Sequence, residues 1–137
     1  EFFDLFKTKG LLDGDWLDIN LGWWQERYRD NVLILKYEDI KRDPKGCIQK
    51  GASFCGETLS DDALEKIVEA SSFESMKANP LSNMSSTPKF VCDHSKTPFM
   101  RKGIVGDWKN VFTKEQSDYV DQHYTAVAAK EGLEFDI

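Results

Sequence analysis

Between Asp15 and about Asp30 the apolar side chains Trp16, Ile19, Trp23 and Trp24 return at three- and four-residue spacing, with Arg27 next in register. That is the period of one helix face. Val32-Leu-Ile-Leu35 breaks it with four apolar residues in a row, followed by Lys36 and Tyr37. A run without alternation predicts a strand buried on both faces, as in a parallel α/β sheet. Asp43-Pro44 then reads as an N-cap with proline at the first helical position, opening a helix that stops near Gly56. Ser60-Asp-Asp62 caps the next helix, whose inner face would carry Ala63, Leu64, Ile67, Val68 and Ser71. Pro80 to Pro98, rich in Ser, Thr, Pro and Lys, reads as a long loop of the sort that serves as a lid or stays mobile. Thr113-Lys-Glu-Gln116 is a capping box, and the helix behind it sets Tyr119, Val120, His123, Tyr124 and Val127 on one face before ending ahead of Gly132.

One strand among about five helices is inconsistent by itself. Its backbone N–H and C=O groups need neighbours. The chain is therefore expected to be a fragment, or to pair with another chain that completes the sheet. Its 137 residues are the length of one domain without a linker or repeat, and 40% apolar with 31% charged residues suits a folded rather than a disordered chain. A net charge of −6 argues against a general nucleic-acid or anionic-membrane surface, and leaves room for one phosphorylated ligand held by a local basic pair. Three cysteines without Cys-x-x-Cys spacing (Cys47, Cys55, Cys92) predict free thiols in a reducing compartment. No apolar run approaches a membrane span and no signal peptide is visible; with Glu1 first, the true N-terminus is expected elsewhere.

The candidate chemistry lies in Phe99-Met-Arg-Lys-Gly-Ile-Val-Gly-Asp-Trp-Lys-Asn-Val-Phe-Thr113. Arg101 and Lys102 stand together on an acidic chain, with Gly103 directly behind. A glycine lets backbone N–H groups turn toward an anion, and a guanidinium adds a charged fork. Alone, Arg-Lys-Gly reads as a solvated loop. The longer string resembles the 3′-phosphate-binding signature of cytosolic sulfotransferases, which use 3′-phosphoadenosine-5′-phosphosulfate (PAPS) as donor. Other segments agree in order: Tyr37-Glu-Asp39 after the apolar run, Ser71-Ser-Phe73 where the family has Thr-Ser-Phe, Met76-Lys-x-Asn-Pro80, and Gly14-x-Trp16 with Gly22-Trp-Trp24 ahead of them.

The resemblance implies that residues 1–137 are the C-terminal half of a single P-loop-like sulfotransferase domain, α/β overall but mostly helical here, with one buried parallel strand. It implies that Arg101, Lys102 and Gly103 bind the donor's 3′-phosphate. Tyr37, Ser71 and Phe73 would form the adenine pocket, with Phe99 and Met100 beneath the nucleotide. Val91, Cys92 and Met84 fall where the family lines its acceptor pocket, though Met84 replaces a frequent tyrosine and Ser71 a threonine. The chemistry implied is metal-free transfer of a sulfuryl group to a hydroxyl or amine of a small acceptor in the cytoplasm, leaving 3′,5′-bisphosphoadenosine. The catalytic lysine and histidine would lie in the missing half, so the isolated chain is expected to be inactive. A non-catalytic nucleotide-binding or interaction fragment is the rival, and a small helical scaffold a weaker third. Many family members dimerise through Lys-x-x-x-Thr-Val-x-x-x-Glu; here Lys114 and Asp118 replace the valine and glutamate, which predicts a weak or altered dimer.

Four other groups read as ordinary structure. Cys92 with His94 is too few for a metal. His123 reads as a packed or half-exposed histidine. Glu38-Asp39 reads as the acidic start of a helix rather than as a catalytic pair. Trp108 and Phe112 read as packing that shapes the loop.

Overall fold

The structure, a computed structural model, describes residues 2–8, 14–91 and 93–135. In chain order the helices are α1 (Phe2–Lys7), α2 (Trp16–Gln25), α3 (Tyr37–Arg42), α4 (Pro44–Phe54), α5 (Asp61–Ala70), α6 (Phe73–Ala78), α7 (Lys114–Val120) and α8 (Ala126–Lys130). A 3-10 turn covers Asp107–Asn110, and a π-helical turn (Asp121–Thr125) joins α7 to α8. The described residues divide into two compact units, one within 1–34 and 106–137, the other within 35–105.

In the first unit the helix starts follow local chemistry. Asp15 accepts from the Asp18 N–H at 3.0 Å. Thr113 Oγ1 accepts from Gln116 N–H at 3.3 Å while Gln116 Oε1 accepts from Thr113 N–H at 3.0 Å, closing the expected capping box. At the other end Gly132, with φ 72°, lets the Leu133 and Gly132 N–H groups reach back to Ala128 and Ala129 carbonyls, a Schellman close. Leu17, Tyr124, Ala128 and Leu133 form the buried core, with Phe6, Leu21, Trp24 and Phe135 packed around it. Trp24 Nε1–H donates to the Glu131 carbonyl at 3.0 Å, tying α2 to the chain after α8. His123, predicted on the apolar face, is instead exposed and stacks on Tyr119 at 4.0 Å between centroids. The predicted face otherwise holds across the π turn: Tyr124 is in the core and Tyr119, Val120 and Val127 pack against it, while the local widening leaves His123 at the surface.

The second unit stacks α3 to α6 in succession. Asp43 accepts from Gly46 N–H at 2.9 Å, Ser60 from Ala63 N–H at 3.3 Å and Ser72 from Ser75 N–H at 3.1 Å. The inner face of α5 is narrower than its sequence suggests: Leu64 is buried, Ala63 and Val68 are half-buried, and Ile67 and Ser71 are exposed. Residues 79–91 and 93–98 form turns without a regular element. The strand predicted at Val32–Leu35 is not present: these residues form no ladder, and no strand occurs among the described residues. Val32 N–H closes a turn onto the Arg29 carbonyl at 3.0 Å, and Leu35 is 37% exposed. A β-ladder is defined by its neighbour, and no described segment supplies one. Likewise α2 stops at Gln25, several residues short of Asp30.

Candidate functional site

Every described residue singled out for donor or acceptor binding lies in the 35–105 unit. The α5–α6 junction supplies two. Ser71 follows α5, and its hydroxyl donates back to the Ile67 carbonyl at 2.7 Å, leaving its oxygen lone pairs able to accept. Ser72 caps α6, so Phe73 becomes the first residue of that helix. The basic turn meets this ring. Gly103 has φ 63°, and a Cβ there would overlap Cγ, Cδ2 and Cε2 of Phe73. Both the left-handed backbone and the ring contact demand glycine. The structure thus brings Gly103 onto Phe73 next to Ser71, which sequence spacing alone does not show. Arg101 and Lys102 are exposed, Phe99 is 59% exposed and Met100 is half-buried.

A cavity of about 460 Å³ opens beside the junction. Leu35, Ile40, Cys47, Ile48, Val68, Ser71 and Phe73 line it, with Lys41 and Glu74 adding charge. Tyr37 opens α3 but is 49% exposed and does not line this cavity. Glu38 and Asp39 occupy the first turn of α3, as expected, and Asp39 pairs with Arg42 at 2.9 Å.

Of the expected acceptor residues, Met84 and Val91 sit apart from the cavity lining. Val91 is 64% exposed, and Cys92 lies outside the described residues. Met84 has φ 60°, a left-handed conformation uncommon for a side chain of its size. Two participants escaped the sequence reading. The Lys77 ammonium lies 5.6 Å from the Phe73 ring centre, a cation–π contact at the spacing of one helical turn from Phe73. His94 Nε2 bonds the Met84 carbonyl at 2.8 Å across ten residues of loop, for which no sequence signal exists. Among the described residues no three His, Cys, Asp or Glu side chains gather to hold a metal, and Cys47 and Cys55 are free thiols. No helix among them is long and apolar enough to cross a membrane.

Hydroxyl, aromatic ring and glycine turn thus meet at one junction, with the basic pair Arg101–Lys102 directly ahead of the glycine in sequence. The family model described as Sulfotransferase domain matches residues 1–132. This chain belongs to that family. It is 47% identical over 135 residues to Sulfotransferase 1C2 of Rattus norvegicus, covering 98% of this chain and 46% of that protein. It is 45% identical to Sulfotransferase 1B1 of Mus musculus, over 98% of this chain and 45% of the relative. The chain therefore spans about half the length of the curated relatives it matches. Among solved structures, mouse sulfotransferase SULT7A1 complexed with PAP superposes with a TM-score of 0.72 at 29% identity, over 88% of this chain and 43% of that one. Retinol dehydratase in complex with androsterone and inactive cofactor PAP gives 0.80 at 27% identity, over 88% and 35%.

Proposed function

We propose that this chain is the C-terminal, donor-gripping portion of a cytosolic PAPS-dependent sulfotransferase domain. Arg101, Lys102 and the Gly103 backbone hold the 3′-phosphate. Ser71, Phe73 and Tyr37 hold the adenine, with Phe99 and Met100 beneath it, and Met84, Val91 and Cys92 face a small acceptor bearing a hydroxyl or amine. The observation that carries the reading is the seating of Gly103 on Phe73, which would set an anion-binding turn one ring away from an aromatic platform for the base. Two neighbouring folds in complex with PAP support it.

When bound, the donor supplies the sulfuryl group. This chain's residues orient it: a guanidinium and backbone N–H groups fix one end of the nucleotide, so the other end is presented to an acceptor in a restricted geometry. The apolar segment Val32–Leu35, without a ladder partner among the described residues, and the open apolar cavity support a second requirement, that the remainder of the fold or another chain supplies the sheet. The direct test is transfer of labelled sulfate from PAPS to a simple phenol such as 4-nitrophenol. The isolated chain should give no transfer and the completed domain should. A completed domain that binds nucleotide and never turns over would favour the non-catalytic reading, and robust turnover by the isolated chain would place the catalytic groups within it.

A further inference from the structure

Residues 79–91 and 93–98 are turned rather than helical, yet they are tied at defined points. Asn83 Nδ2–H donates to the Lys77 carbonyl of α6 at 2.7 Å, and its Oδ1 accepts from Ser85 N–H at 2.8 Å. Next comes Met84, the one non-glycine residue with positive φ among those described. Its carbonyl accepts twice, from Thr87 N–H at 2.9 Å and from His94 Nε2 at 2.8 Å, which uses both lone pairs. Because a carbonyl only accepts, Nε2 must carry the hydrogen, and the bond persists whether the ring is neutral or charged. The far limb is braced beside the imidazole: Asp93 Oδ1 accepts from Ser95 N–H at 3.1 Å and from Ser95 Oγ–H at 2.6 Å.

We propose that His94 is a positioning residue for the acceptor side of the site, holding Met84 in its left-handed conformation across the loop. This rests on the proposed function, in which Met84 faces the acceptor. A left-handed backbone disfavours any residue with a Cβ, so it persists only where surrounding contacts over-determine it. Without His94 the described ties at Met84 are local ones, the Thr87 N–H bond to its carbonyl and the weak Thr87 Oγ1–H contact to its Sδ at 3.9 Å, so φ is freer to relax and the Met84 side chain to shift.

The test uses the full protein, with hydrogen exchange at the Thr87 amide and steady-state kinetics with 4-nitrophenol and PAPS. Loss of one net hydrogen bond sets the expected scale at about tenfold: His94→Ala should speed exchange and raise the KM for 4-nitrophenol by that factor, with the KM for PAPS changed less than about twofold. His94→Gln, whose amide N–H can donate, should recover most of both effects. On a Met84→Gly background, where φ 60° is no longer disfavoured, His94→Ala should alter exchange much less. Unchanged exchange in His94→Ala overturns the tie. Faster exchange with an unchanged phenol KM, or an equal rise in both KM values, overturns the acceptor role. A wild type that turns over no phenol sinks the proposed function and the acceptor role with it, while exchange still decides the tie.

Discussion

Replacing Gly103 by alanine asks the junction to accept one methyl group that it has no room for. Two effects act on the same atom. At φ 63° a Cβ costs about 1–2 kcal/mol relative to glycine. The same Cβ would overlap three atoms of the Phe73 ring, and overpacking of this kind costs about 1–3 kcal/mol as neighbours shift. The sum is about 2–5 kcal/mol, which at 1.4 kcal/mol per tenfold predicts nucleotide affinity reduced by at least about thirtyfold if the turn must keep its shape to bind. Titration calorimetry with 3′,5′-bisphosphoadenosine reads this, and thermal melting of the same samples separates a local effect from unfolding. A Gly103→Ala/Phe73→Ala double variant removes the overlap but not the backbone cost, so the two substitutions should be non-additive by about 1–3 kcal/mol. Wild-type affinity in Gly103→Ala, or strict additivity in the double variant, would show that the turn and the ring do not act together.

The capping box makes a pH prediction. Hydrogen bonds from its own backbone N–H and from the Thr113 hydroxyl hold the Glu115 carboxyl below its ordinary value. A depressed folded-state value contributes stability that is present above the unfolded value and lost as pH falls through the folded one. Thr113→Ala should move the Glu115 carboxyl titration, followed by NMR, back toward ordinary glutamate, and an unmoved midpoint would remove the hydroxyl from the account. Dimerisation through this stretch should be weak. Lys114, standing where family members bury valine, pairs with Asp118 at 2.6 Å, so burying it means desolvating an ion pair. A dimer that persists in sedimentation at low concentration, and that Thr113→Glu dissociates, would contradict this.

What the sequence disclosed follows from the range over which each interaction acts. The starts of α2, α4, α5 and α7 were legible because Asp15, Asp43, Ser60 and Thr113 each bond a backbone N–H three residues on. The Val32–Leu35 strand misled because an apolar run states only that something covers it, and the ladder partner is a distant segment. The π turn at Asp121–Thr125 carries no residue signature, so His123 was drawn onto a face that Tyr119, Val120, Tyr124 and Val127 do form. At the site, Arg101, Lys102, Gly103, Ser71 and Phe73 were readable as a motif. That Gly103 rests on Phe73, across thirty residues of chain, and that His94 reaches Met84 were not.

The central claim is that the Arg101 turn recognises a 3′-phosphate, and the most direct measurement compares two nucleotides. Calorimetry of the completed protein with 3′,5′-bisphosphoadenosine and with adenosine 5′-monophosphate isolates that one group. A charge-assisted contact worth about 1.5–3 kcal/mol predicts tighter binding of the bisphosphate by about one to two orders of magnitude. Most of that preference should vanish in Arg101→Ala, and only part should return in Arg101→Lys, whose ammonium lacks the planar fork. Equal affinity for the two nucleotides in the folded wild type, or a preference that survives Arg101→Ala intact, would contradict the account.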